Sequence, residues 1–250
     1  MTRRLIAALS VVAVIVLFAY TVLLTPNGSA SSQELNVISR TRGDEVLTAE
    51  ILNNQLRIRL KNNHKDTITA FAIRFTDTVI KADFAYSDVH FGIEPGDTFQ
   101  KNYTVSASAP GSEPPTVYLL TVLLKDGTKD GDSKVAQEIK DERLGEKIQI
   151  LRTLRILEKE GPSVPELKTT KSDIAGALDT GELEVRKILN ELEPTLPIDN
   201  KLSDHLKNGL QVAREKMLRR FEVLEQLPPE QREKEFTQLK DRLNKLFAKL

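Results

Sequence analysis

Apolar and basic side chains alternate along Leu56-Arg57-Ile58-Arg59-Leu60-Lys61, the period of a strand with one buried face. Asn62 to Asp66 supply turn residues, and in the run Thr67 to Phe75 that follows, Phe71, Ile73 and Phe75 share a side. Thr78 to Tyr86 reads as a further strand. Pro95-Gly96 suits the centre of a type II turn ahead of Thr98 to Val105. Val117 to Leu124 (VYLLTVLL) is apolar on both faces, as in a central strand. Of nine Phe and four Tyr, eight lie between Phe71 and Tyr118, which places the aromatic core here. Short strands joined by turns, with no intervening helices, predict an antiparallel sandwich of immunoglobulin-like architecture. The Cys-Trp-Cys pattern of antibody domains is absent from the sequence.

From Ser133 the period changes from strand to helix. A first helix is expected from Ser133 to Glu160, with Leu144, Ile148 and Leu151 in one row and Ile150, Leu154 and Leu157 in the next. Gly145 reads as a weak point within it. Gly161 to Pro165 breaks the chain, and Gly176, Gly181, Pro194 and Pro197 restrict residues 166–198 to short helices. Then Leu202, Leu206, Leu210, Ala213, Met217, Phe221 and Leu224 step by three and four. Leu227-Pro228-Pro229-Glu230 makes a turn, with a proline suited to the first helical position. Phe236, Leu239, Leu243, Leu246 and Leu250 follow the spacing of a coiled-coil seam. An antiparallel helical hairpin over 200–250 would satisfy both stripes. The seam is read as the core of that hairpin, with sharing between chains as the alternative.

Turn and strand signals also carry a resemblance. Ile58 to Asn62, the strand Ile68 to Phe75, and the turns Ile93-Glu94-Pro95-Gly96-Asp97 and Lys125-Asp126-Gly127-Thr128 resemble those of a group of uncharacterised exported bacterial proteins. The resemblance covers roughly residues 45–150 and implies a sandwich outside the cytoplasm. It brings no catalytic residues.

The N-terminus points the same way by a different argument. Arg3 and Arg4 precede LIAALSVVAVIVLFAYTVLLTP, a stretch free of charge from Leu5 to Pro26. A run of about 20 apolar residues is long enough to cross a bilayer as a helix. Leu5–Leu24 is read as an uncleaved anchor; the alternative is a secretory signal cleaved after Ala30, in the small-residue run Gly28-Ser29-Ala30. In both cases residues 31–250 lie outside the cytoplasm. The expected fold is thus α+β: an anchor or signal over 1–30, a β-sandwich over 31–133 and a charged helical region over 134–250.

Charge sharpens the division. The 36 basic and 36 acidic side chains cancel, which argues against a nucleic-acid partner. Residues 31–133 carry 11 basic and 14 acidic side chains, and the 117 that follow carry 23 and 22. Zero cysteines exclude disulfides and thiolate chemistry. The motifs of serine hydrolases, zinc proteases and nucleotide-binding loops are absent from the sequence, so no catalytic, cofactor-binding or metal residue is assigned.

Three clusters of residues are candidate sites. Asp126, Thr128 and Asp130 match the first odd positions of a calcium loop, but Gln137 stands where the bidentate glutamate belongs; an Asp-Gly turn, with Asp132 or Ser133 capping the next helix, is the favoured reading. Arg214, Lys216, Arg219, Arg220 and Glu222 form a mixed run, read as a solvated face or a patch for an acidic partner or anionic lipid. Tyr86, His90 and Phe91 could line a small-ligand site on the sandwich loops. His205 has no histidine or glutamate at helical spacing, so it reads as a surface residue. The expected function is a non-enzymatic, exported interaction or scaffold protein of the cell envelope. It reaches the membrane through Leu5–Leu24 and a protein partner or a second copy through its C-terminal helices. The alternatives are a small-ligand module and a carboxylate-based hydrolase.

Overall fold

A computed structural model describes residues 32–43, 45–84, 92–104, 115–176, 182–194 and 202–249. Among these residues nine strands come first: β1 (Gln33–Glu34), β2 (Val37–Ser39), β3 (Val46–Leu52), β4 (Gln55–Lys61), β5 (Ile68–Phe75), β6 (Thr78–Asp83), β7 (Thr98–Thr104), β8 (Val117–Leu124) and β9 (Lys129–Gly131). Five helices follow: α1 (Ser133–Leu157), α2 (Val164–Ala175), α3 (Glu182–Leu192), α4 (Asp204–Gln226) and α5 (Pro229–Lys249). The chain is α+β, with β-sheets that are mostly antiparallel and a helical C-terminal part.

One sheet has the order β1-β3-β4-β7, and the other runs β2-β8-β5-β6 with β9 also on β8. Leu47, Leu56, Ile58 and Leu60 of the first sheet meet Phe71, Ile73, Val117, Leu119 and Val122 of the second in one buried cluster. Phe99 stands edge-on to Phe71 and Phe84, at centroid distances of 5.6 and 5.0 Å, an arrangement that favours ring edge against ring face.

Two features of the sheets depart from the expected pattern. The second sheet is mixed, because β2 pairs with β8 in parallel. Its register, Val37↔Val117 to Ser39↔Leu119, leaves Thr121 to Leu123 of the same edge to β9. Strand β3 was not expected either. Its pairing Leu52↔Gln55 closes a two-residue turn in which Asn53 and Asn54 have φ of 52° and 58°, as a type I′ hairpin turn requires. The Pro95-Gly96 turn forms as expected: Gly96 has φ 88°, and Asp97 N–H donates to Glu94 O at 2.9 Å.

Helix α1 explains why β8 is apolar on both faces. Leu120 and Leu123, with Ala70 and Ala72 of β5, turn away from the sheet core and pack on Val135, Ala136 and Ile139. Asp132 caps the helix, accepting from Lys134 N–H and Val135 N–H. Arg143 then forks onto Asp83 at 2.8 and 2.9 Å and also reaches Thr69 O at 2.9 Å. Such a bidentate pair adds orientation to attraction.

The helical part is not a self-contained hairpin. The stripe of α4 packs along α1 far more than along α5. Asp141 meets Ser203, and Glu146 meets Lys216, so α1 and α4 run in the same direction. Two parallel helices need a crossover, and α2 and α3 lie in the chain between them. Helix α5 returns along α1: Lys240 Nζ donates to Leu157 O at 3.2 Å, and Lys147 lies over the Phe247 ring. The seam residues Phe236, Leu239, Leu243 and Leu246 are buried with Ile150, Leu154 and Leu157 of α1 and Met217, Phe221 and Leu224 of α4. Within this chain these four seam residues are already covered; Leu250 lies outside the described residues.

Gly145, expected to weaken its helix, is where α1 and α4 cross. A Cβ at Gly145 would lie 2.1 Å from Leu206 O, and one at Gly209 would lie 2.0 Å from Glu142 O. Both obstacles are backbone, which cannot swing aside. Gly145→Ala and Gly209→Ala are each expected to cost about 1–3 kcal/mol, although alanine is the better helix former by about 1 kcal/mol. Gly176, which has open space around its would-be Cβ, is the control: Gly176→Ala should be neutral or stabilising. Urea unfolding followed by circular dichroism measures all three, and a Gly145→Ala variant as stable as the parent would disprove the close crossing.

Candidate functional site

Helices α4 and α5 make little direct contact with each other, and both pack against α1. Leu227 N–H bonds back to Leu224 O, and Arg232 donates to Leu224 O and Leu227 O, closing the end of α4. Pro229 opens α5, where its missing N–H costs nothing. The wedge between the helices is a trough of about 720 Å³, within the size range of binding clefts.

The trough has an apolar floor and a basic rim. Val223, Leu224, Leu227 and Leu239 supply the apolar surface. Leu224 and Leu239 are buried in the helical core, while Val223 is 60% exposed. Around them stand Arg219, Arg220, Lys234 and Arg242, against the single carboxylate of Glu235. Arg219, Lys234 and Arg242 are exposed. A lining of this kind offers apolar area to cover and positive charge to select by.

The run Arg214 to Glu222 is therefore divided by the fold. Arg219 and Arg220 turn to the trough, whereas Lys216 pairs with Glu146 on α1 at 3.4 Å. Lys234 and Arg242 stand on α5 and carry no local sign of the trough; the α4 wall does, in the four-residue step Arg219-Val223-Leu227 beside the core stripe.

The acidic loop forms a turn and a cap. Gly127 has φ 84°, and Leu124 N–H donates to Thr128 O at 2.9 Å. Asp126 accepts from both the N–H and the hydroxyl of Thr128, bonds that hold its carboxyl below the usual range. Asp130 accepts from Arg42 N–H at 2.8 Å, and Asp132 is spent on the helix cap. The three carboxylates serve three separate sets of donors. Tyr86, His90 and Phe91 lie outside the described residues, as does the Leu5–Leu24 stretch. Among the described residues no helix is long and apolar enough to cross a membrane.

Both described histidines have acidic partners that sequence spacing did not show. His205 lies 3.3 Å from Glu142 and 3.6 Å from Glu138, which come from α1 rather than from its own helix. The same two carboxylates take Lys81 of β6, so this cluster ties sheet, α1 and α4 together. His64 pairs with the buried Glu45, which also accepts from Thr41, and Ser39 completes the chain 2.5 Å from Thr41. That chain fastens Ser39, Thr41 and Glu45 to the turn after β4.

Glu146 sits one residue from the glycine crossing. Burial pushes its carboxyl up to about 7; Lys216 opposes the rise, and Asp83 and, more weakly, Glu142 add to it. A carboxyl raised in the folded state binds more protons there than in the unfolded chain. Its stabilising contribution is thus complete below about pH 4.5 and lost as pH rises through about 7, on the order of 3 kcal/mol in all. Glu146→Gln should remove that dependence and make the protein more stable than the parent at pH 8. Urea midpoints from pH 4.5 to 8 test this, and parallel profiles for the two proteins would refute it. No family model, curated protein or solved structure matches this chain.

Proposed function

We propose that this chain is an exported, membrane-anchored interaction protein of the cell envelope, without catalytic activity, and that its C-terminal helices dock a partner protein. The observation that carries the reading is the α4–α5 trough, with an exposed Val223 in its apolar lining and cations from both helices. Exposed apolar surface rimmed by charge is the mark of an interaction site.

The charge-free Leu5–Leu24 stretch behind Arg3 and Arg4 supports the anchor. In this reading the two sheets form an immunoglobulin-like sandwich that serves as a spacer, in keeping with the resemblance to exported bacterial proteins. The single aromatic core shared by both sheets supports that assignment. Helix α1 then fixes the docking helices to the spacer, through the Arg143–Asp83 fork and the Lys81 pairs.

Two measurements on the intact chain test the proposal. Fractionation with N-terminal mass analysis should find the full-length chain in the membrane fraction, with residues 31–250 open to protease added from outside. A photo-crosslinking side chain at Val223 should give a discrete adduct with another protein in cells, while one at the exposed Thr237 should not. A chain confined to the cytosol overturns the export reading. The same crosslinking pattern at both positions, or none at Val223, overturns the docking reading.

A further inference from the structure

We propose that the α4–α5 trough receives an acidic amphipathic helix of the partner, an inference that rests on the docking role above and names the occupant. The wall on α4 runs from Arg219 to Leu227 and the wall on α5 from Gln231 to Arg242. At 1.5 Å per residue these are about 12 and 17 Å long, two to three turns of a third helix. The floor residues Val223, Leu224 and Leu227 repeat at helical spacing, and a helix in a groove is anchored by side chains at i, i+3, i+4 and i+7. Covering Val223 and Leu227 supplies affinity from the hydrophobic effect.

Charge then selects the kind of helix. The exposed Arg219 on one wall stands with Lys234 and Arg242 on the other, and Glu235 is the one carboxylate among the lining residues. An occupant with Asp and Glu flanking its apolar stripe meets a cation on either side. A basic helix would be repelled from both walls, and like-charge juxtaposition is how interfaces reject wrong partners. The same charges disfavour a second copy in this trough. A two-fold dimer places the same patch on both sides, which would set Arg219, Lys234 and Arg242 against themselves. The seam that could have joined two copies is buried in this chain's own core.

The test uses the full chain in nanodiscs of neutral lipid and labelled peptides of about 18 residues, long enough for partial helicity. One peptide carries Leu at i, i+3, i+4 and i+7 with Glu at the flanking positions. A second replaces each Glu by Lys, and a third scrambles the Leu positions. Fluorescence anisotropy should show the acidic peptide bound at least about tenfold more tightly than the other two, with affinity falling as salt rises. Val223→Asp should weaken that binding about tenfold or more, and Arg219→Glu with Arg242→Glu should shift the preference to the lysine peptide. These side chains are exposed, and circular dichroism confirms that each variant folds.

Equal affinity for acidic and basic peptides, or no effect of Val223→Asp, overturns the inference. So does binding of anionic phosphatidylglycerol vesicles in place of the peptide, or self-association in sedimentation that Val223→Asp abolishes while the peptide fails to bind. A heterologous crosslink at Val223 without acidic selectivity would remove this occupant and leave the docking role standing. Loss of both the crosslink and the selectivity removes both.

Discussion

The close crossing of α1 and α4 at Gly145 and Gly209 is the constraint on which the helical part depends. At that point each helix backbone occupies the space that a side chain of the other would need. The contact brings Ile148 of α1 into one cluster with Leu202, Leu206 and Leu210. It brings Ile150, Leu154 and Leu157 into another with Met217, Phe221 and Leu224. A methyl group at either glycine would hold the helices apart and loosen both clusters together, since packed interiors lose contact over gaps smaller than a water molecule.

The crossing also decides what the last two helices can do. With α4 committed to α1, helix α5 turns back onto the C-terminal half of α1 and finds only part of its surface against α4. Two helices joined by a tight turn usually close on each other along their length. Here a third helix lies along both, and the trough is the wedge that remains. Its exposed valine and cationic walls therefore follow from how the core is divided among three helices.

Polar groups join the layers at a cost. The Arg143 fork, the pairs of Lys81, and His205 between Glu138 and Glu142 hold α1 to the sheet and to α4. Exposed or half-exposed pairs of this kind contribute little energy singly but specify orientation. Glu146 shows the expense of crowding charge near the crossing, because buried carboxylates favour the protonated form. Lys216 offsets part of that cost and lies on the helix that the crossing brings near.

Much of the fold was legible in local pattern. Strands β4, β5, β7 and β8, the breaks around Gly161 and Pro228, and the core stripes of α1, α4 and α5 were all readable, because periods of 2 and 3.6 depend only on which face of an element is buried. The Asn53-Asn54 turn carried its own signal, unread, in two residues that tolerate the left-handed region. What covers each face was not readable. The sequence determined that β8 was buried on both sides, but only the tertiary structure showed that α1 lies on one of them. It determined that Leu206 to Leu224 face a core, but not that the core is α1 running parallel. Gly145 read as weakness because helix propensity is a local quantity, whereas the benefit of a missing Cβ depends on a backbone more than 60 residues away. The trough was hidden for the same reason: Arg219 and Arg242 stand on different helices, and only packing sets them on facing walls.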